Sequence, residues 1–491
     1  MYIIGVDIGT TSTKAVLFDN DGNALAREEK QYPLLSPVKG SAEQDSDEIA
    51  DACFHCIREL IRSRSLNADV IEAISFSAVM HSLVITDASG KPKTPLITWA
   101  DERSSDKTNQ LKETYGLRFY ERTGTPLHPM SPLAKLAWIT AGNAPWDLTA
   151  DDHVLSIKDY VFYRLFGTFV TDESVASSSG LYDLYTRTWN KEALDAAGVK
   201  EHQLPTIMET TSALRGLDTA IANDLGVHPE TPFVLGASDG VLANLGADAD
   251  VGDTVVTIGT SGAIRAIVAS PVTHEQGHTF CYHLTADAFV IGGAINNGGV
   301  ALQWTKEHLF KEAYEGRPEA ERDVWFEELA KQAPIGCEGL LCLPYLYGER
   351  APYWTTGVTG GFVGMSSRNE QPHFARAVYE GVMYQMNLMA QDIAEMVPEN
   401  KQLLVNGGFV RSSFWVQMMA DILEREIIVP EHHDASSKGA AMLARNALNK
   451  PPFEKKNGKI TSYKPDKEQS VLYEQAFTKY KKWANAMLAM E

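Results

Sequence analysis

The stretch Asp7-Ile8-Gly9-Thr10-Thr11-Ser12-Thr13-Lys14 lies between two apolar, β-branched runs at 3–8 and 15–18. Such runs on either side of a Gly/Thr/Ser cluster predict a hairpin. The same device returns in Ile258-Gly259-Thr260-Ser261-Gly262, between runs at 255–258 and 264–268, with Gly259 standing 250 residues after Gly9. Asp250-Val251-Gly252-Asp253 precedes the return and marks a boundary near residue 250. The chain therefore reads as two related domains, 1–248 and 249–491, each opening on the same turn.

Outward from these turns, strands alternate with helical stretches, which favours an α/β class. Strands are expected at 22–29, 71–76, 82–86, 233–235, 402–405 and 427–429. Asp45-x-x-Glu48 resembles a capping box and predicts a helix start. A final helix follows the lysine-containing segment 450–467 and is expected to dock through Leu472, Ala476, Tyr480, Trp483 and Met487.

Composition narrows the function classes. The 491 residues are 44% hydrophobic and 22% charged, an ordinary globular balance with room for a full core. A formal net charge of −20 argues against a nucleic-acid or membrane-surface partner. It leaves room for a locally positive cleft. Five sparse cysteines exclude a disulfide framework and suggest a reducing compartment. Cys53-x-x-Cys56 has no second pair and reads as core. No apolar run spans a bilayer. The N-terminus has neither a basic region nor a small-residue cleavage site. A cytoplasmic location is expected.

A turn of Gly, Thr and Ser offers backbone N–H groups at close approach together with hydroxyl donors, which is one way to hold phosphate. Alone, such a turn usually just reverses the chain. Two of them, each at a domain start, suit a polyphosphate gripped from both domains. The Walker A string and the protein-kinase strings are missing. Asp7, ending a strand beside the first turn, is placed to bind Mg²⁺ near phosphates or simply to cap the turn. Asp239, in Gly236-Ala237-Ser238-Asp239-Gly240, follows a strand at a glycine-flanked turn. It can project a carboxylate as a general base or serve as a helix N-cap. Asn406-Gly407-Gly408, after strand 402–405, lets a flat ring approach the backbone.

Together these strings resemble the FGGY family of carbohydrate kinases. The likeness extends to Gly360, Phe362, Gly364, Met365, His373-Phe374 and Ala377-Val378-Tyr379-Glu380, and to Met130, Pro132, Lys135, Leu136, Trp138 and Ile139. Ala141 and Gly142 depart from the family's usual polar residues. The resemblance implies two ribonuclease-H-like domains of the actin and hexokinase type with a cleft between them. It implies that the first binds sugar and carries the base and the second binds nucleotide. It implies Asp239 as catalytic base, ATP and Mg²⁺ as cofactors, and Asp7 as the metal residue. Nucleotide contacts are implied at Thr10, Thr11, Ser12, Gly259, Thr260, Gly299, Gln303, Gly407, Gly408 and Ser412, and sugar contacts at Met80 and His81.

Within the family, three strings resemble members that phosphorylate gluconate: Ser77-Ala78-Val79-Met80-His81-Ser82, Thr98-Trp99-Ala100-Asp101-Glu102-Arg103 and the segment 123–132. The first is similar to xylulose kinases as well. The expected reaction is D-gluconate to 6-phospho-D-gluconate, with xylulose or another polyol as the alternative. Arg103 is a candidate reader of the substrate carboxylate, or else the partner of Asp101 or Glu102. The expected partners are a small sugar acid and ATP, with a homodimer left open.

Two other classes compete. Gly236-x-Ser238-x-Gly240 spells an α/β-hydrolase nucleophile elbow, with His432 or His433 downstream in triad order. A sugar sensor on the kinase fold without turnover is the other, and loss of the base would be its sign. Gly348-Glu349-Arg350-Ala351-Pro352 resembles a further family motif, expected to hold an ion pair at the domain interface.

Overall fold

The computed structural model describes residues 1–398, 401–430, 434–454 and 461–490. In the first unit, β1 (Tyr2–Ile8), β2 (Ser12–Phe18), β3 (Ala24–Gln31), α1 (Ser46–Ser63), β4 (Ile71–Ala78), α2 (Pro132–Thr140), β5 (Ala213–Leu214), β6 (Phe233–Ser238) and α3 (Asp239–Gly246) position the site. The six-stranded sheet runs β5-β6-β4-β1-β2-β3. Asp45 caps α1, its carboxylate accepting from the amides of Asp47 at 2.8 Å and Glu48 at 3.1 Å. The buried stripe of α1, through Ile49, Cys53, Cys56, Ile57 and Leu60, follows the helical period and covers one sheet face. All five cysteines are free and buried.

The second unit is built on β7 (Thr254–Ile258), β8 (Gly262–Val268), α4 (Gly299–His308), α5 (Glu319–Lys331), α6 (Gln371–Met396), β9 (Leu403–Asn406), α7 (Ser413–Leu423), β10 (Ile427–Val429), β11 (Thr461–Tyr463) and α8 (Lys467–Leu488). Its pairings repeat those of the first. β1 and β2 are antiparallel, β1, β4 and β6 are parallel, and β5 runs antiparallel to β6. Likewise β7 and β8 are antiparallel, β7, β9 and β10 are parallel, and β11 runs antiparallel to β10. The duplication inferred from two turns is thus a duplication of topology, and both turns are hairpins.

The first unit comprises Met1–Val251, Ile267–Ile291 and His432–Lys456; the second comprises Gly252–Ala266, Gly292–Glu431 and Asn457–Glu491. The chain thus returns to the first unit after residue 431. The helix Ala435–Ala447 packs so closely on β1 that a Cβ at Gly5 would lie 2.0 Å from the Ser437 carbonyl oxygen. Lys438 Nζ pairs with Asp248 at 2.7 Å to fix that helix.

The C-terminal helix docks by a different stripe from the one expected. Tyr473, Ala476, Phe477, Tyr480 and Ala484 are buried, whereas Leu472 and Trp483 are exposed. Both stripes share Ala476 and Tyr480. Tyrosine hydroxyls decide between them, because they find buried partners: Tyr473 accepts from Arg376 Nη2 at 2.7 Å and Tyr480 donates to Gln385 Oε1 at 3.1 Å. No described helix is long and apolar enough to cross a membrane.

Candidate active site

In the first unit the parallel strands β1, β4 and β6 end at one edge of the sheet. Asp7 is in register with Ser77, and Ser77 with Ala237. Asp7, the Met80–His81 segment and Asp239 therefore gather at the carboxyl ends of three neighbouring strands, where open α/β sheets bind ligands. Two strand spacings set Asp7 about 10 Å from the start of α3.

Asp7 accepts a hydrogen bond from Ser77 Oγ at 2.7 Å. Burial pushes its carboxyl above the ordinary range, with Asp434 adding to the rise while Ser77 and Lys14 oppose it. A carboxylate so placed gains by meeting a cation, and its oxygen chemistry fits Mg²⁺. Asp239 is the first residue of α3, and the Gly240 amide donates to its Oδ1 at 2.6 Å.

The first turn is held from behind. Tyr32 Oη donates to the Gly9 carbonyl at 2.6 Å and Gln44 Nε2 to the Thr10 carbonyl at 2.7 Å. Trp99 Nε1 donates to Thr10 Oγ1 at 3.0 Å, and Ser12 Oγ to Glu29 Oε1 at 2.8 Å. With the carbonyls tied back, the Thr10 and Thr11 amides donate to nothing among the described residues. They remain available to an anion.

His81 sits at φ 66°, a left-handed backbone that a non-glycine residue adopts only when held. Its Nδ1 lies 2.8 Å from the Ser178 carbonyl, so Nδ1 carries the proton and Nε2 faces the other way. Lys135 is fully buried, and its Nζ donates to the His81 carbonyl at 2.6 Å and the Met130 carbonyl at 2.7 Å. Burial lowers its pKa to about 7. Lys135 thus fixes the backbone that presents His81. The sequence marked it only as part of a motif.

Arg103 is engaged. Its Nε and Nη2 bind Asp101, and Nη2 also lies 2.7 Å from Glu43. Its guanidinium lies over the Trp138 and Trp146 rings, at 5.3 and 5.1 Å from their centroids. The partner is Asp101, as one of the two readings had it, yet the pair is inside the protein: the Arg103 side chain is only 12% exposed. Nη1 makes no hydrogen bond among the described residues.

In the second unit, Gly259, Thr260, Gly299, Gln303, Gly408 and Ser412 line a single cavity of about 580 Å³. Gly407 adjoins it at φ 98°, where a Cβ would lie 2.4 Å from the Ile258 carbonyl oxygen. Gly299 N donates to the Gly259 carbonyl at 2.8 Å and Val300 N to the Thr260 carbonyl at 3.0 Å, tying the start of α4 to the turn. Gln303 Nε2 bonds Glu307, and Ser412 Oγ donates to Glu327 Oε2 at 2.6 Å. Thr10, Thr11 and Ser12 belong to the first unit. Sequence reading missed the walls Val300, Val324, Phe409 and Trp415 and the lining residues Lys306 and Asp323, and marked Tyr379 only as a motif letter. The i, i+1, i+4 spacing of Asp323, Val324 and Glu327 on α5 was the available signal.

Ser238 is fully buried, and its hydroxyl meets Ser174 Oγ at 3.1 Å. That is a packed serine in an extended backbone at φ −70°, ψ 152°, not an exposed nucleophile. His432 and His433 lie outside the described residues. Within the second unit, Glu349 and Arg350 both bind the Asn296–Asn297 segment: Glu349 Oε2 accepts from Asn297 Nδ2 at 3.1 Å, and Arg350 Nε donates to Asn296 Oδ1 at 2.7 Å.

Two family models match the chain, the FGGY family of carbohydrate kinases N-terminal domain over residues 2–246 and its C-terminal domain over residues 254–448. The chain belongs to the FGGY family of carbohydrate kinases. This sets aside the hydrolase and the non-catalytic sensor, and the family implies ATP use. The FGGY chain is 42% identical to a gluconokinase of Bacillus subtilis, over 91% of this chain and 88% of that one. A crystal structure of gluconate kinase from Lactobacillus acidophilus matches with a TM-score of 0.91 at 34% identity, covering 99% of this chain and 98% of that one. A ligand-bound xylulose kinase from the same organism matches with a TM-score of 0.91 at 33% identity and the same coverage. The family and the fold are settled by these likenesses. Equal scores for two sugars leave the substrate to the side chains.

Proposed function

We propose that this FGGY kinase transfers the γ-phosphoryl group of ATP to the 6-hydroxyl of D-gluconate. Asp239 takes the proton of that hydroxyl as its oxygen attacks phosphorus. The new O–P bond forms as the bond to the β-phosphate oxygen breaks, and ADP leaves. Phosphoryl transfer asks a protein chiefly for positioning and charge neutralisation. In the first unit the Thr10 and Thr11 amides supply the second, and Asp7 would hold Mg²⁺, which would offset phosphate charge; in the second unit the Gly259–Thr260 turn lines the nucleotide cavity. The 580 Å³ cavity takes the nucleotide, with Gly408 and Phe409 beside its adenine ring. Met80 and His81 contact the sugar, and Arg103 turns Nη1 to its carboxylate. The first unit carries sugar and base, the second the nucleotide.

The observation that carries this reading is the gathering of Asp7, His81 and Asp239 at the ends of three adjacent parallel strands. The greater identity to gluconokinase favours gluconate over xylulose. Incubation with Mg·ATP and ¹³C-labelled D-gluconate, followed by ³¹P and ¹³C NMR, tests it. A single phosphomonoester coupled to carbon 6 is expected. No phosphorylation, or phosphate on another carbon, overturns it.

A further inference from the structure

The second unit holds another cavity, of about 300 Å³, which shares no lining residue with the nucleotide cavity. Thr254, Gln391, Leu403, Arg425, Glu474 and Phe477 are among its walls. Three features set it apart from an ordinary crevice.

The first is Arg425. It is half-buried just beyond α7, its Nη2 donates to the Lys401 carbonyl at 3.2 Å, and no carboxylate lies at ion-pair distance from it among the described residues. Burial pulls its pKa down, with Asp253 opposing only in part. A guanidinium kept partly dry without a paired anion is costly, and an anion arriving there recovers the cost. The second is the mixed wall. Phe477, Leu403 and Ile422 form an apolar side, while Gln391 and Glu474 offer hydrogen-bond partners. Glu474 and the neighbouring Glu424 disfavour a bare anion and suit a molecule that carries hydroxyl or amino donors away from its anionic end.

The third is position. Thr254 and Leu403, the first residues of β7 and β9, line this cavity. The far ends of the same two parallel strands carry the Gly259–Thr260 and Gly407–Gly408 turns of the nucleotide cavity. Thr254 and Ile258, at opposite ends of β7, line one cavity each, four residue steps or about 13 Å apart. A ligand that pins the starts of these strands bears directly on the elements that hold the nucleotide.

We propose that the cavity at Arg425 is an effector site for a small organic anion, a hydroxylated carboxylate or phosphate ester, whose binding changes the affinity for ATP. This goes beyond the proposed reaction and does not depend on which sugar is phosphorylated. Coupling of this kind is reciprocal, so ATP must change the effector's affinity by the same factor.

Titration calorimetry on the full chain tests it with three probes: 3-phosphoglycerate, citrate and inorganic phosphate. The citrate and phosphate arms tell which group Arg425 reads. We expect 3-phosphoglycerate to bind one-to-one and to weaken at least tenfold in Arg425→Gln. The affinity for a non-hydrolysable ATP analogue should shift at least twofold with 3-phosphoglycerate in the wild type and not in the variant. Turnover without effector should be unchanged. Should Arg425→Gln not fold, Ala394→Phe fills the same cavity from α6 and must abolish binding. No saturable binding of any probe, equal binding to wild type and variant, or competition with the ATP analogue overturns the site. Binding without a change in ATP affinity overturns the effector role.

Discussion

Asp239 and Arg103 carry the sharpest expectations at the scale of a residue. Asp239→Asn keeps the shape and the Gly240 contact but cannot take a proton. It should lower kcat by roughly 10²–10⁴ with little change in KM for ATP. A near-native kcat in the folded variant removes Asp239 as base. Arg103 has two duties in this account, neutralising Asp101 and Glu43 and reading the substrate carboxylate. Only the second depends on substrate. Arg103→Gln should therefore reduce kcat/KM for D-gluconate more than for D-xylulose, by about 1.5–3 kcal/mol for a lost charged hydrogen bond. An equal loss on both makes it a purely structural ion pair. The position of Asp239 at a strand–helix turn was legible, and the same string spelled a hydrolase elbow at Ser238. Burial decides that ambiguity, and local spelling does not encode burial. Lys135 was legible only as a motif letter, because its partners are backbone carbonyls of Met130 and His81, which no side-chain pattern announces.

At the scale of an element, two buried acids of the second unit make separable predictions. Glu380 on α6 is 1% exposed, and its Oε1 accepts from Arg376 Nε at 2.7 Å. Arg376→Met leaves that carboxylate buried without its partner and should cost about 3–5 kcal/mol by denaturant unfolding. Glu349 is fully buried, and burial raises its pKa to about 7. The folded state then holds a proton that the unfolded state has released between about pH 4.5 and pH 7. Stability should fall as pH rises through that window, by at most about 1.4 kcal/mol per pH unit from this group, and level off above it. Glu349→Gln should flatten the slope, as read from denaturant midpoints at several pH values. An unchanged slope means Glu349 ionises at its ordinary pKa. Helix and strand identities were mostly legible here, since the apolar runs at 255–258, 402–405 and 427–429 became β7, β9 and β10. The buried face of the last helix was misread by one position. Leu472 and Trp483 look more apolar than Tyr473 and Ala484, but the tyrosine hydroxyls find partners inside.

For the whole molecule, the repeated Gly-Thr turn told the most. It announced two copies of one topology, and the strand pairings are those of two copies. It could not announce that the chain crosses back, because the helix Ala435–Ala447 joins the first unit through close backbone approach at Gly5. A glycine in a strand gives no hint of what lies over it. Substrate choice is the least legible property, because a gluconate kinase and a xylulose kinase share this backbone. The measurement that bears most directly on the account is kcat/KM for D-gluconate, D-xylulose, glycerol and D-glucose, by coupled ADP release with saturating Mg·ATP. The account predicts D-gluconate to lead each neutral substrate by at least tenfold. Faster turnover of D-xylulose or glycerol would contradict it and make this chain a kinase of a neutral polyol.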